Sequence, residues 1–278
     1  MTLVGAVDIG TNSTRLLIAE VENERLTDLA RRSVVTGLGT GVDVGRLLLP
    51  EPIARVRAVL ADYREALDAA RATRTLAVAT SAVRDAVNGQ AFLDEVAESF
   101  GFATRILTGE EEAQLTRRGV GAMDPATLLL DVGGGSTELI LGDFRTSLDV
   151  GSVRLSERFL HGDPPGADEL SAAAAFVEVL LPELRVGNAV GVAGTVTQLH
   201  ELVGDLTLAS VEAELARLAA LPVARRAALP RMDPARAPVI VAGAIIVAVV
   251  MRRYGLKELT WSVRDLLDGI ALEAATLP

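Results

Sequence analysis

Residues 131–141 read Asp-Val-Gly-Gly-Gly-Ser-Thr-Glu-Leu-Ile-Leu, and residues 8–18 read Asp-Ile-Gly-Thr-Asn-Ser-Thr-Arg-Leu-Leu-Ile. Asp, Gly, Ser, Thr and Leu recur at the same offsets, and the other apolar positions agree in type. An apolar run precedes each stretch, Leu3 to Val7 and Thr127 to Leu130, and another follows it. Short apolar runs bounded by turn residues read as buried strands. The repeated unit is therefore strand, glycine-rich turn, strand. Such a duplication predicts two related domains, each opening with this hairpin. Met123-Asp124-Pro125 supplies a hinge, because the residue before proline is pushed out of the helical region. The expected domains are 1–123 and 124–278, with the last helix able to pack back on the first domain.

Between and after the hairpins, helical and strand patterns alternate. Glu51 to Ala72 carries apolar residues near helical spacing, Thr75 to Val78 reads as a strand, and Ser81 to Ala86 and Gln90 to Phe100 read as helices broken at Asn88-Gly89. Ala103 to Leu107 and Ala189 to Ala193 are further strand candidates. Val211 to Ala220, Val239 to Tyr254 and Leu266 to Ala275 are helical. The alternation predicts an α/β fold.

Bulk composition narrows the chemistry. The chain has 278 residues, half of them hydrophobic, enough for two cores. It has no cysteine, which excludes disulfides, thiolate metal sites and a cysteine nucleophile. Two histidines, His161 and His200, are too few for a multi-histidine zinc site and read as packing or surface residues. A net charge of −10 argues against a nucleic-acid polymer as partner. Any phosphate substrate must be held by local arginines, backbone N–H groups and a metal. The most apolar stretch, Val239 to Val250, is short of the roughly 20 residues that span a bilayer. No basic-then-apolar leader is evident, so the expected setting is cytoplasmic, away from membranes.

The glycine-rich turns are the candidate phosphate sites. Glycine lets backbone N–H groups approach an anion closely, and several such groups form a nest. Gly10, Thr11, Asn12 and Ser13 would line the first, and Gly133, Gly134, Gly135, Ser136 and Thr137 the second. Asp8 and Asp131, at the strand ends, could hold a hydrated Mg²⁺. One such turn alone would read as an ordinary hairpin; two matching copies favour phosphate. No Walker-type loop occurs, and neither copy is a dinucleotide turn. Where the first copy has Arg15 the second has Glu138, giving Asp131 a carboxylate neighbour suited to a metal.

Three further segments carry candidates. In Thr108-Gly-Glu-Glu-Glu-Ala113, Thr108 and Glu111 form a capping-box pattern and Glu110 suits the positive end of the helix dipole. Glu112 has no evident structural task, and a carboxylate there could be a general base; spacing alone does not choose among the three. Arg84 and Asn88 lie four apart, on one face if the segment is helical, where Arg84 could grip phosphate or form a surface ion pair with Asp85 or Glu95. Gly194 and Thr195 follow a strand-like run and would sit at a helix N-terminus, a place for an anion.

These motifs together resemble the exopolyphosphatase/guanosine-pentaphosphate phosphatase family. The resemblance rests on residues 8–14, on Asp131-Val-Gly-Gly-Gly-Ser-Thr-Glu138, on Ala79-Thr-Ser-Ala-Val-Arg84 with Asn88-Gly89, and on Gly109-Glu-Glu-Glu-Ala113. Gly151-Ser-Val-Arg-Leu-Ser-Glu157, Ala193-Gly-Thr195 and, more loosely, Ser262-Val-Arg-Asp-Leu-Leu-Asp-Gly269 follow in the family's order. It implies two ribonuclease-H-like domains of the actin-like ATPase superfamily, with the active site in a cleft between them. It implies Mg²⁺ (or Mn²⁺) on Asp131 and Glu138, with Asp8 a further candidate ligand, and Glu112 as general base. Arg84 and Asn88 would contact phosphate. The implied substrates are inorganic polyphosphate, alternatively guanosine pentaphosphate, and the implied assembly is a homodimer. Longer members carry a further C-terminal helical domain, and this chain stops near its start, which favours short polyphosphate. An acceptor kinase of the same superfamily and a nucleotide-binding protein without turnover are the rival readings.

Overall fold

The computed structural model describes residues 2–278. The chain forms two compact units, Met1–Ala122 with Arg264–Pro278, and Met123–Val263. The first unit opens with strands β1 (Thr2–Ile9), β2 (Ser13–Glu22) and β3 (Arg25–Val35). There follow α1 (Val42–Gly45), α2 (Pro50–Ala70), β4 (Arg74–Ala79), α3 (Ser81–Asp85), α4 (Gly89–Phe100), β5 (Ala103–Ile106) and α5 (Gly109–Val120). Its sheet runs β3-β2-β1-β4-β5, antiparallel among the first three and parallel from β1 through β4 to β5.

The second unit holds β6 (Thr127–Val132), β7 (Thr137–Leu141), β8 (Phe144–Leu148), α6 (Ser152–Phe159), α7 (Ala167–Leu180), β9 (Asn188–Val192) and α8 (Ala193–Val203). It continues with β10 (Leu206–Thr207), α9 (Leu208–Ala219), α10 (Val223–Ala227), α11 (Ile240–Arg253) and β11 (Glu258–Trp261). Its sheet runs β10-β11-β9-β6-β7-β8. Read from the hairpin outward, β8-β7-β6-β9-β11 repeats β3-β2-β1-β4-β5 in both order and direction. The duplication visible in eleven residues thus extends across each sheet. Both units are α/β with mixed sheets, as the alternation of elements implied.

The chain closes with α12 (Leu266–Ala274), which packs in the first unit. Strand alternation explains why that unit needs it. On β1, Val7 and Ile9 face a core built with α2 and α4, while Val4 and Ala6 face the other side of the sheet. That other side is covered by Leu107 and Leu115, around α5, and by Leu266, Leu267, Ile270 and Leu272 of α12. Each large aliphatic side chain so buried contributes roughly 1.5–3 kcal/mol. α5 and α12 meet backbone to backbone. A Cβ on Gly119 would lie 2.0 Å from the Asp265 carbonyl oxygen, and one on Gly269 would lie 2.0 Å from that of Leu115.

In the second unit α11 is buried from Ile240 to Met251, surrounded by α6, α7, α8, α9 and β6. A helix apolar all round is a core helix here; among the described residues no helix is long and apolar enough to cross a membrane.

Two details depart from the sequence reading. Asn88-Gly89 does not end a helix. α3 stops at Asp85, and Asn88 is the residue before the first turn of α4. Arg84 and Asn88 therefore do not share a helical face. The edge strands β3 and β8 also carry no apolar run, because most of their side chains are exposed or half-buried.

Candidate active site

In both units the candidate residues emerge at the carboxyl ends of parallel strands. Ile9 pairs with Ala79 and Ala79 with Ile106, so the first glycine turn, α3 and the start of α5 leave the same sheet edge. Asp131 pairs with Val192, placing the second turn beside the start of α8. Ligands of open α/β sheets bind at such edges.

Both turns close with the same bond. The Gly10 N–H donates to the Ser13 carbonyl at 3.0 Å, and Gly133 donates to Ser136 at 3.1 Å. Those two N–H groups are thus spent within the turns. Neither glycine has a positive φ. What excludes a side chain is proximity: a Cβ on Gly10 would stand 2.8 Å from the Ser13 oxygen. Around the first turn, Thr36 and Gly37 donate to the Asn12 carbonyl and Gly39 to that of Thr11. The Thr11 hydroxyl accepts from the Ala82 N–H at 3.1 Å, anchoring α3. Asn12 Nδ2 is buried without a hydrogen-bond partner.

The second turn is pinned from behind. Ser152 donates to the Gly133 carbonyl, and Val153 and Arg154 donate to that of Gly134, so glycine carbonyls cap α6. Gly151 has to be glycine, since a Cβ would meet Gly134 and Gly135 at 2.4–2.6 Å. The buried Thr137 hydroxyl donates to the Val150 carbonyl at 2.6 Å and so holds the loop rather than a ligand.

Asp131 and Glu138 are cross-strand partners, 5 % and 1 % exposed. Like charges directly opposite on a ladder repel, and a divalent ion between them would offset that repulsion. Glu138 Oε1 accepts from the Ser147 hydroxyl at 2.6 Å. Among the described residues no cluster of three or more His, Cys, Asp or Glu is placed to hold an ion. Two hard carboxylates still fit Mg²⁺ or Mn²⁺, since Mg²⁺ keeps several waters and is held by one or two carboxylates plus substrate oxygens.

Asp8 is differently placed. Its partner across the hairpin is Arg15, whose Nε and terminal nitrogen reach Asp8 Oδ2 at 2.9 and 2.8 Å. Burial pushes the Asp8 carboxyl above its usual range, and Arg15 offsets this only in part. Desolvation opposes the charged guanidinium, yet Asp265 and Asp8 together hold its proton more tightly than usual. As a candidate metal ligand, Asp8 already has a resident cation.

Glu112 lies in the first turn of α5, buried at 6 % exposure. Its Oε2 receives an Arg84 terminal nitrogen at 3.2 Å, and the same nitrogen donates to the Leu107 carbonyl at 2.8 Å. Arg84 thus pairs with the candidate base, whereas Glu95 pairs with Arg57. Glu111 makes the full capping box: its carboxylate accepts from the Thr108 N–H at 2.8 Å and hydroxyl at 2.9 Å, while Thr108 Oγ1 accepts from the Glu111 N–H. Those bonds from Thr108 hold the Glu111 carboxyl below its usual range.

Asn88 does not reach toward a phosphate site. Its Oδ1 accepts from the Leu48 N–H at 2.9 Å and its Nδ2 donates to the Leu48 carbonyl at 3.0 Å, a complete bridge to the loop before α2. Gly194 lies in the first turn of α8, under the Arg236 guanidinium; a Cβ there would stand 2.3 Å from its nearest nitrogen. Thr195 packs against Gly243 of α11. His200 stacks on Trp261 at 4.4 Å, and His161 sits in an exposed loop, so neither histidine joins these sites. Ser147, which bonds Glu138, and Arg236, which covers Gly194, were not singled out from the sequence, because such positions give no local pattern for long-range contacts.

Comparison with known proteins decides the family. Residues 17–276 match the model of the Ppx/GppA phosphatase family. The chain belongs to that family. It is 41 % identical to Exopolyphosphatase 2 of Mycobacterium tuberculosis, over 99 % of each chain. An exopolyphosphatase structure from Cytophaga hutchinsonii superposes with a TM-score of 0.91 at 25 % identity, covering 100 % of this chain and 99 % of that one. The Aquifex aeolicus member of the Ppx/GppA family gives 0.80 at 28 % identity, covering 99 % and 97 %.

Proposed function

We propose that this family member is an exopolyphosphatase, hydrolysing the terminal phosphoanhydride of inorganic polyphosphate with release of orthophosphate. The observation that carries the reading is the buried cross-strand pair Asp131–Glu138 on a glycine turn, in a chain 41 % identical to a named exopolyphosphatase.

Phosphoryl transfer asks mostly for positioning and charge stabilisation. Mg²⁺ or Mn²⁺ held by Asp131 and Glu138 would supply charge neutralisation for phosphate oxygens. The turn's N–H groups would orient the terminal phosphate. Ser147 fixes the rotamer of Glu138, and α6 fixes the loop. Glu112, oriented by Arg84, would accept the proton of the attacking water. Water is the proposed nucleophile, attacking the terminal phosphorus.

The test is phosphate release from short polyphosphate, long polyphosphate and guanosine pentaphosphate, side by side with Mg²⁺, with the mass in solution measured in parallel to detect a homodimer. Release from polyphosphate, faster than from guanosine pentaphosphate, is expected. Release from guanosine pentaphosphate alone would move the assignment to that substrate. No release from any of them, with tight nucleotide binding, would sink the hydrolase reading.

A further inference from the structure

The two hairpins differ at one chemically decisive position. Across the ladder from the aspartate stands Glu138 in the second unit and Arg15 in the first. The Arg15 guanidinium gives two nitrogens to Asp8 Oδ2 and a third to Asp265 Oδ2. Asp265 belongs to the start of α12. Its Oδ1 caps the helix by accepting from the Leu267 N–H at 2.9 Å, and its own N–H donates to Asp268 Oδ2 at 2.9 Å. Asp268 is held in turn by Arg31 at 2.7 Å and by Arg264. Asp265 is therefore fixed where it faces Arg15, and the side chains of Arg15, Asp8 and Asp265 are each at least five-sixths buried.

Resting on the reading of Asp131 and Glu138 as metal ligands, we infer that Arg15 is a built-in cation that takes the place of the divalent ion in the first half. The protein accordingly binds a single Mg²⁺ or Mn²⁺, in the second unit. In both halves two buried carboxylates converge. In the second they come from neighbouring strands. In the first the partner carboxylate comes from the far end of the chain, and a guanidinium lies between the two. One acceptor of this triad, Asp8 Oδ1, is buried without a hydrogen-bond partner. An ion there would stand beside the guanidinium on the other oxygen of the same carboxylate, and in a buried setting that repulsion is weakly screened. Removing the guanidinium leaves Asp8 and Asp265 facing each other, a pair that a divalent ion could bridge.

Titration of the full chain with Mn²⁺ alone, following free Mn²⁺ by electron paramagnetic resonance, tests this without any turnover. Wild type should bind one Mg²⁺-displaceable ion per chain. Asp8→Asn should keep that ion at unchanged affinity, and Glu138→Gln should lose it. Arg15→Gln should gain a second ion, and adding Asp8→Asn to Arg15→Gln should remove the gain. Two ions in wild type, or an ion lost in Asp8→Asn, overturns the inference and leaves the metal reading of the second unit intact. An ion retained in Glu138→Gln overturns that reading, and the inference with it. If Arg15→Gln does not fold, judged by its circular dichroism melt, wild type and Asp8→Asn still decide.

Discussion

Glu112→Gln is expected to lose about 10²–10⁴-fold in kcat, the usual contribution of a positioned general base, while substrate affinity stays near wild type. The ground is structural as well as chemical. Of the three consecutive glutamates that open α5, Glu111 is committed to the capping box and Glu110 is exposed. Glu112 alone is buried and held by an arginine from another helix. Glutamine keeps the size and can still accept from Arg84, but it cannot take a proton at neutral pH. Glu111→Gln is the control. It should keep most activity and lose about 1 kcal/mol or less of stability. That loss has a predictable pH dependence. The folded Glu111 carboxyl titrates below its unfolded value, so its contribution is complete above about pH 4.3 and fades as pH falls through the lower folded value. The Tm gap between wild type and Glu111→Gln should therefore shrink on acidification. Turnover lost in Glu110→Gln or Glu111→Gln and kept in Glu112→Gln would show that the base has been placed one position wrong.

Replacing either carboxylate of the second hairpin should be comparably costly. Asp131→Asn or Glu138→Gln removes half of the charge available to a divalent ion, which is worth several kcal/mol of transition-state stabilisation, or about 10²-fold or more in rate. Raising Mg²⁺ or Mn²⁺ should recover part of the loss. Turnover with unchanged metal dependence in Glu138→Gln would remove these residues from the metal site.

The hairpin repeat was legible because it is local: apolar runs and a glycine turn lie within eleven residues, and strand pairing follows from them. The Arg15–Glu138 asymmetry was legible for the same reason. The uses of the side chains were less so. Thr11, Thr137 and Asn88 look like phosphate ligands by type, yet the first two serve Ala82 and Val150 and the third bridges to Leu48. Each of those partners is supplied by tertiary contact, which periodicity does not report. Asp265 is the extreme case. In sequence it is only the residue before a helical stretch, and the return of α12 to the first unit brings it to Arg15, 250 residues away. Edge strands escaped for a different reason: β3 alternates no apolar face, because most of its side chains are exposed or half-buried.

The central claim is hydrolysis of the terminal phosphoanhydride with the water oxygen entering at the terminal phosphorus. Running the reaction on short polyphosphate in ¹⁸O-labelled water tests it in one measurement. Attack on the terminal phosphorus places one labelled oxygen in the released orthophosphate, and the bridging oxygen stays with the shortened chain. The account predicts labelled orthophosphate and an unlabelled chain, by mass spectrometry. Label in the shortened chain, or phosphate recovered unlabelled on an acceptor, would contradict it.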